Sequence, residues 1–279
     1  KMIGIHAFSE CLLLENIEFS RGSKLKFIND YAFSNTNIET LTIPSRLNYI
    51  GARAFFNCKN LNEFNIVNKS SLKVIEMGTF SKTLIDNIRI PKKTVLIKDG
   101  WCEGINLKTI KVSKNNKLFK VMNSTLISKS LQSQNYTKIQ YCYRNITEID
   151  VPSSIKKICD YAFYDCKYLK DVNFLKDSQL QNIGKYSFSK SSIEHITIPN
   201  NVIEIDDYAF YECENLTNVI FSFDSKLKRI NKYSFSKTSI IEINIPKNVS
   251  IIDEYCFFES SHLQILKFDS NSQLQIIGS

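Results

Sequence analysis

A phenylalanine that follows a small residue recurs along the chain, and its spacing constrains the fold more than any other sequence feature. Successive copies lie 25, 22 and 25 residues apart, then 83, and then 25, 22, 25 and 22. The five prolines lie 47, 61, 47 and 47 residues apart. Two unrelated residue types therefore report one 47-residue period with one insertion of 14 residues. The recurring phenylalanines are Phe8, Phe33, Phe55, Phe80, Phe163, Phe188, Phe210, Phe235 and Phe257.

Each repeat contains a segment that predicts a β-strand. Residues 169–174 and 193–198 follow the pattern Leu/Ile-x-x-Val/Ile-x-Phe/Ile, which spans about six residues and alternates with period two. In the shorter repeat a proline follows at once and ends the strand, because proline has no N–H to donate to a sheet. Repeats of 22 or 25 residues cannot bury their own apolar face, so they must stack on one another. The sequence therefore predicts a mainly β repeat solenoid, with one parallel sheet of about 11 strands, phenylalanine rings stacked inside, and short turns or 3₁₀ segments on the other side.

The longer repeat carries a more specific motif. Tyr-Ala-Phe-Tyr-Asp-Cys-x-x-Leu-x-x-Val-x-Phe occupies residues 161–174, and it is followed by Ser-x-Leu-x-x-Ile-Gly and Ile-Pro-x-x-Val-x-x-Ile. Over residues 1–112 and 146–279 this pattern resembles the BspA-type leucine-rich repeats. The resemblance implies a right-handed, curved leucine-rich-repeat stack. Cys102, at a ladder phenylalanine position, and Ser260, at a framework cysteine position, depart from the pattern.

We expect a single leucine-rich repeat solenoid over residues 1–279 that is a fragment of a longer protein. The chain starts and stops inside a repeat, and an open end of such an array exposes core and strand edge. The irregular stretch at about 113–145 resembles a variant unit of the family, in which an extended hairpin replaces a coil. No apolar run approaches the ~20 residues that a membrane helix needs, so no membrane span is expected within the chain.

The sequence indicates no catalytic residue, metal site or cofactor. The three histidines are scattered, and no Gly-rich phosphate loop, Gly-x-Ser-x-Gly, His-Glu-x-x-His or Cys-x-x-Cys motif occurs. Equivalent positions two coils apart lie ~9–10 Å from each other, whereas a disulfide needs Cα atoms within about 7 Å. A pairing of Cys142 with Cys159 stays open. We expect buried, mutually unpaired thiols at the four positions three residues after a ladder phenylalanine, Cys11, Cys58, Cys166 and Cys213.

The outward side chains of the strands are the expected partner-binding surface, because the sheet is the largest rigid face of a solenoid. They form two columns of mostly short polar groups, in which a cationic pair is followed by acids further along the chain. Neither column contains an aromatic anchor, which favours weak or multivalent contacts. The predicted partner-binding residues are Glu63, Asn65, Asn87, Arg89, Thr109, Lys111, Glu148, Asp150, Asp171, Asn173, His195 and Thr197.

Charge is unevenly distributed along the chain. Residues 1–140 carry 21 Lys and Arg against 10 Asp and Glu, whereas residues 141–279 carry 15 against 18. The most basic stretch, residues 82–120, is suited to attract a sulfated polysaccharide or an acidic protein face by long-range steering. Nucleic acid is disfavoured, because no aromatic platform is interleaved with the charges. Besides Arg89 and Lys111, this basic patch consists of Lys82, Lys92, Lys93, Lys98, Lys108, Lys114, Lys117 and Lys120.

These observations favour a binding module over an enzyme. The family resemblance implies surface-exposed arrays of bacteria and parasitic protists that adhere to host proteins or cells. We therefore expect a non-catalytic adhesion module at the cell surface or outside the cell, with a host extracellular-matrix or cell-surface protein as its partner. Two alternatives stay open: a cytoplasmic leucine-rich repeat scaffold for a protein partner, and a module that binds acidic polysaccharide.

Overall fold

A computed structural model of the protein describes residues 1–278, which form 24 β-strands joined by turns and contain no helix. The chain divides into two compact units, Lys1–Met122 and Asn123–Ser279. Each unit is a β-solenoid, in which equivalent segments of successive coils pair side by side. The predicted repeat solenoid of mainly β structure is thereby confirmed.

In the first unit, strands of four residues alternate with strands of two residues. The four-residue strands are β3 (Thr40–Ile43), β5 (Glu63–Ile66), β7 (Asn87–Ile90), β9 (Thr109–Val112) and β10 (Phe119–Met122). The two-residue strands are β1 (Met2–Ile3), β2 (Phe27–Ile28), β4 (Tyr49–Ile50), β6 (Val74–Ile75) and β8 (Leu96–Ile97).

The second unit repeats this alternation after an initial hairpin. The hairpin strands are β11 (Thr125–Ser128) and β12 (Lys138–Cys142). The four-residue strands that follow are β13 (Glu148–Val151), β15 (Asp171–Phe174), β17 (His195–Ile198), β19 (Asn218–Phe221), β21 (Glu242–Ile245) and β23 (Ile265–Phe268). The two-residue strands are β14 (Lys157–Ile158), β16 (Asn182–Ile183), β18 (Glu204–Ile205), β20 (Arg229–Ile230), β22 (Ile251–Ile252) and β24 (Ile276–Ile277).

Except for β10 and the hairpin strand β11, the four-residue strands form the predicted face, but as four separate parallel sheets instead of one. β3 pairs in parallel with β5, β7 with β9, and β13 with β15, while β17, β19, β21 and β23 form one four-stranded sheet. In strands such as β3 and β17, exposed and buried side chains alternate. The strands are shorter than the predicted six residues, because the first two residues of each pattern lie before the strand. Ile193, for example, is fully buried there.

The return segments form a second parallel sheet, where the sequence predicts only short turns or 3₁₀ segments. It runs β1-β2-β4-β6-β8 in the first unit and β12-β14-β16-β18-β20-β22-β24 in the second. Ile50 and Ile75, which lie opposite each other in β4 and β6, are both fully buried. Strands of two residues escape pattern analysis, because an alternation is recognisable only over about four residues or more.

The phenylalanine-bearing turns stack as the third side of each coil. The Phe33 N–H donates to the Ala54 carbonyl of the next coil at 2.9 Å, so the backbone of this side is hydrogen-bonded between coils as well. Neighbouring ladder rings lie 5.2, 5.6 and 6.1 Å apart in the first unit and 4.8 to 5.8 Å apart in the second, with planes within 9° of parallel. Beyond Phe80, where the ladder step falls on Cys102, both Cys102 and the adjacent Trp101 are fully buried.

The first part of the second unit departs from this coil pattern. β11 and β12 pair antiparallel, with a register shift between Leu126 and Ile127. β12 also pairs in parallel with β14, so the second strand of the hairpin takes the place of a two-residue strand in the stack. Tyr141 of β12 is fully buried and stands 22 residues before Phe163, where the other coils have a ladder phenylalanine.

Candidate functional site

The outward side chains of β5, β7 and β9 lie on one concave surface of the first unit, which encloses about 640 Å³. Because alternate residues of a strand point to opposite faces, the exposed positions of neighbouring strands line up beside one another. The register places Asn87 opposite Thr109 and Arg89 opposite Lys111. All six residues that the sequence predicts on these strands line this surface: Glu63, Asn65, Asn87, Arg89, Thr109 and Lys111.

Arg89 and Lys111 form a cationic pair on this surface. Directly opposed like charges on neighbouring strands repel each other, so they do not stabilise the sheet. Among residues 1–278 neither side chain belongs to an ion pair, whereas the nearby Asp86 pairs with Lys108 at 3.0 Å. The two cations are therefore available to acidic groups from outside the unit.

The predicted residues of the second unit are exposed on β13, β15 and β17 and are mainly acidic or neutral. Glu148 lies opposite Asp171 and Asp150 opposite Asn173, whose amide donates to the Asp150 carboxylate at 3.1 Å. His195 and Thr197 are exposed on β17. The opposed carboxylates of Glu148 and Asp171 make this face suited to cationic groups.

The lysines of the basic patch are all exposed, but they are distributed around the coil. Lys92 and Lys93 lie in the turn after β7, and Lys114 lies in the turn after β9. Lys98 follows β8 on the next side of the coil. Lys82 lies in a phenylalanine-bearing turn, with its Nζ 5.1 Å from the centre of the Phe56 ring. The other exposed members are Lys108, Lys117 and Lys120.

A second concave surface, which the sequence reasoning missed, lies in the second unit and encloses about 770 Å³. It is lined by Ile220 and Phe223, which are 50% and 90% exposed, together with polar groups such as Glu242 and Lys247. An exposed aromatic ring beside a concavity is the type of side chain that anchors protein interfaces. The position of Phe223 in the repeat could have revealed this surface. In equivalent coils the same turn holds polar residues such as Lys92.

Within residues 1–278, no three His, Cys, Asp or Glu side chains are grouped so that they could hold a metal ion. In the same part of the chain, no helix has the length and apolarity required to cross a membrane.

Stacked parallel strands, an internal phenylalanine ladder and an exposed polar strand face define a repeat protein of the β-solenoid class. The family model for the BspA type leucine rich repeat region matches the chain in 6 copies, over residues 1–131 and 134–264. The chain belongs to this family, which confirms the resemblance in its motifs.

Solved structures with a similar fold include bacterial leucine-rich repeat proteins. A leucine-rich repeat protein from Eubacterium ventriosum is 19% identical with a TM-score of 0.72, covering 91% of this chain and 80% of that one. A leucine rich cell surface protein from Faecalibacterium prausnitzii is 21% identical with a TM-score of 0.70, covering 100% and 73%. The pneumococcal vaccine antigen PcpA is 21% identical with a TM-score of 0.60, covering 84% and 67%. No match is found among curated proteins.

Proposed function

We propose that this chain is a non-catalytic adhesion module of a cell-surface protein, and that it binds a host extracellular-matrix or cell-surface protein. The contact is made through the concave strand face of the first unit, with the lysines of the adjoining turns at its edge. The partner presents acidic groups to Arg89 and Lys111. Two similar structures are described as a cell surface protein and a vaccine antigen, which supports the surface location.

The observation that carries this proposal is the grouping of Arg89 and Lys111 on one concave face without ion-pair partners among residues 1–278. Charges that already hold a partner must exchange it on binding, whereas these two gain one. Charged groups at a protein surface steer association and raise its rate. Each exposed pair contributes about 0.2–1 kcal/mol, so affinity for one partner molecule is modest and repeated copies strengthen it.

Solid-phase binding to a panel of purified extracellular-matrix proteins tests the proposal. In the variant Arg89→Glu/Lys111→Glu two attractive contacts become repulsive, so we expect about tenfold or greater weakening, equivalent to ~1.4 kcal/mol. A matched control is Lys26→Glu/Lys73→Glu, because both lysines are exposed and directly precede a two-residue strand on another side of the coil. Equal binding by the parent and both variants would remove the strand face from consideration.

A second candidate is binding of a sulfated polysaccharide, which the turns after the four-residue strands of the first unit favour. These turns carry exposed cations in successive coils, at Arg46, Lys69, Lys92, Lys93 and Lys114, and residues 44–48, 67–71, 91–95 and 113–117 contain no acid. Retention on immobilised heparin at physiological ionic strength, lost in Lys92→Glu/Lys93→Glu/Lys114→Glu but kept in Arg89→Glu/Lys111→Glu, would favour this candidate over protein binding.

A further inference from the structure

The framework cysteines of the regular coils are held as neutral thiols. Cys58 and Cys213 are fully buried, and their thiols donate to the carbonyls of Phe33 and Phe188 at 3.1 and 3.0 Å. Each sulfur also contacts a hydroxyl 22 residues earlier, that of Thr36 at 3.3 Å or that of Ser191 at 3.5 Å. Burial raises the pKa of both thiols, that of Cys213 to about 12. A thiol in this setting is a poor nucleophile, because only the thiolate reacts.

Cys166 occupies the same framework position, but the residue 22 positions earlier is Arg144 instead of a hydroxyl. Arg144 is 7% exposed, and its guanidinium donates to the carbonyls of Ala162 at 2.8 Å and Tyr161 at 3.2 Å. It also lies 4.4 Å from the centre of the Tyr141 ring. These contacts fix a buried positive charge, whose Nη1 is 3.6 Å from the Cys166 sulfur.

A second thiol lies near this sulfur. Cys142, at the end of β12, is fully buried, and its thiol donates to the Tyr143 carbonyl at 3.5 Å. The Cys142 N–H and the Arg144 guanidinium donate to the same Ala162 carbonyl, at 2.9 and 2.8 Å, which places Cys142 beside the contact between Arg144 and Cys166. Burial raises the pKa of Cys142 well above its ordinary value. Burial also acts to raise the pKa of Cys166, but the neighbouring Cys142 thiol and the charge of Arg144 outweigh it and lower that pKa. One thiol of the pair is thus biased towards the thiolate and the other stays protonated.

We propose that Cys142 and Cys166 form a redox-active dithiol, which closes to a disulfide between the hairpin strand β12 and the next coil. With hydrogen peroxide as oxidant, the Cys166 thiolate attacks one peroxide oxygen and becomes a sulfenic acid, and hydroxide leaves. The Cys142 sulfur then loses its proton and attacks the Cys166 sulfur, so that the S–S bond forms and water leaves. In total two thiols and one peroxide give one disulfide and two waters, a two-electron oxidation.

This inference does not depend on the proposed binding function, since no residue of the strand face takes part. It gives Cys142 a different partner from Cys159, the pairing that the sequence leaves open. Of the four framework cysteines, Cys58, Cys166 and Cys213 are buried as expected, whereas the expectation of a buried Cys11 is wrong: it is exposed, because it lies in the first coil that the structure describes. Cys166 differs from the others in having an off-register cysteine near it, which the hairpin brings there.

Peptide mapping by mass spectrometry without reduction, after limited treatment of the native full chain with hydrogen peroxide, tests the proposal. We expect the peptide pair linked through Cys142 and Cys166 as the first intramolecular product. Cys58 and Cys213 are internal controls at the same framework position, and they stay reduced. Cys11 is exposed and reacts independently, so its products are counted separately.

Two variants identify the roles of the partners. Arg144→Thr introduces the residue that Cys58 has at the equivalent position, Thr36. It lowers the thiolate fraction of Cys166, so disulfide formation slows by about tenfold or more. Cys142→Ser leaves Cys166 without a resolving thiol, so a sulfenic acid accumulates there and is trapped by dimedone. The proposal is wrong if the parent yields no Cys142–Cys166 linkage, if Cys142 links to Cys159 instead, or if Cys58, Cys166 and Cys213 oxidise at equal rates.

Discussion

Replacement of Phe55 by alanine tests whether the internal ring ladder holds the coils together. Phe55 is fully buried, stacks between Phe33 at 5.6 Å and Phe80 at 6.1 Å, and meets the edge of Phe64 at 5.5 Å. The matched change is Phe8→Ala, because Phe8 occupies the same position in its coil but is 42% exposed and stacks on Phe33 alone.

The structure sets the expected magnitudes for the two variants. Truncation of a fully buried phenylalanine costs about 3–5 kcal/mol in free energy of unfolding. Each aromatic pair contributes about 0.5–1.5 kcal/mol beyond burial, and three such contacts place Phe55→Ala at the upper end of that range. Phe8→Ala removes an exposed ring with one stacked neighbour, so we expect a smaller loss of about 1–2 kcal/mol.

Urea unfolding measures both losses, with two probes. Far-ultraviolet circular dichroism follows the β-structure of the whole chain. Fluorescence of the single tryptophan, Trp101, which is fully buried in the first unit, follows that unit. If Phe55→Ala lowers the unfolding free energy no more than Phe8→Ala does, the ladder is not the main source of stacking energy and the reasoning is refuted.

Two further changes probe the close approach of backbone segments and a partly buried charge. In Gly51→Ala, the added Cβ would lie 2.5 Å from backbone atoms of Asn29 and Asp30, so chemical denaturation should show a loss of about 1–3 kcal/mol. Gly4→Ala, with no atom within 4 Å, should change stability by less than about 0.5 kcal/mol. Burial chiefly raises the pKa of Asp206, so its ionised form disfavours folding. Asp206→Asn should therefore raise the melting temperature at pH 7. It should not do so near pH 3, where the parent's Asp206 is largely protonated and as neutral as the asparagine; an equal shift at both pH values contradicts this.

The repeat spacing was sufficient to predict the stack and the ring ladder, because both follow from which residues recur. Phe188 and Phe210 stack 5.3 Å apart since one coil brings residues 22 apart into contact. The alternation within each strand likewise predicted which side chains are exposed. The repeat itself fixes the register of neighbouring strands. For this reason the six residues from Glu63 to Lys111 lie together on one surface.

Sequence analysis missed strands that are too short to show an alternation, and it missed exposed residues that lie outside the strands. The second sheet consists of two-residue strands that pair only because stacking aligns the coils. Phe223 was missed because it lies in a turn, outside the strand columns from which the predicted residues were drawn.

The sequence alone determined the period, the family and the polar character of the strand face, since these depend on local composition repeated at fixed intervals. The tertiary structure decided which charges lack partners and which buried groups meet. Cys142 and Arg144 belong to the irregular hairpin segment, whose register the period does not predict. Only the packing of that segment on the next coil brings a guanidinium and a second thiol to Cys166, in a buried site where low polarity strengthens their effect on the sulfur.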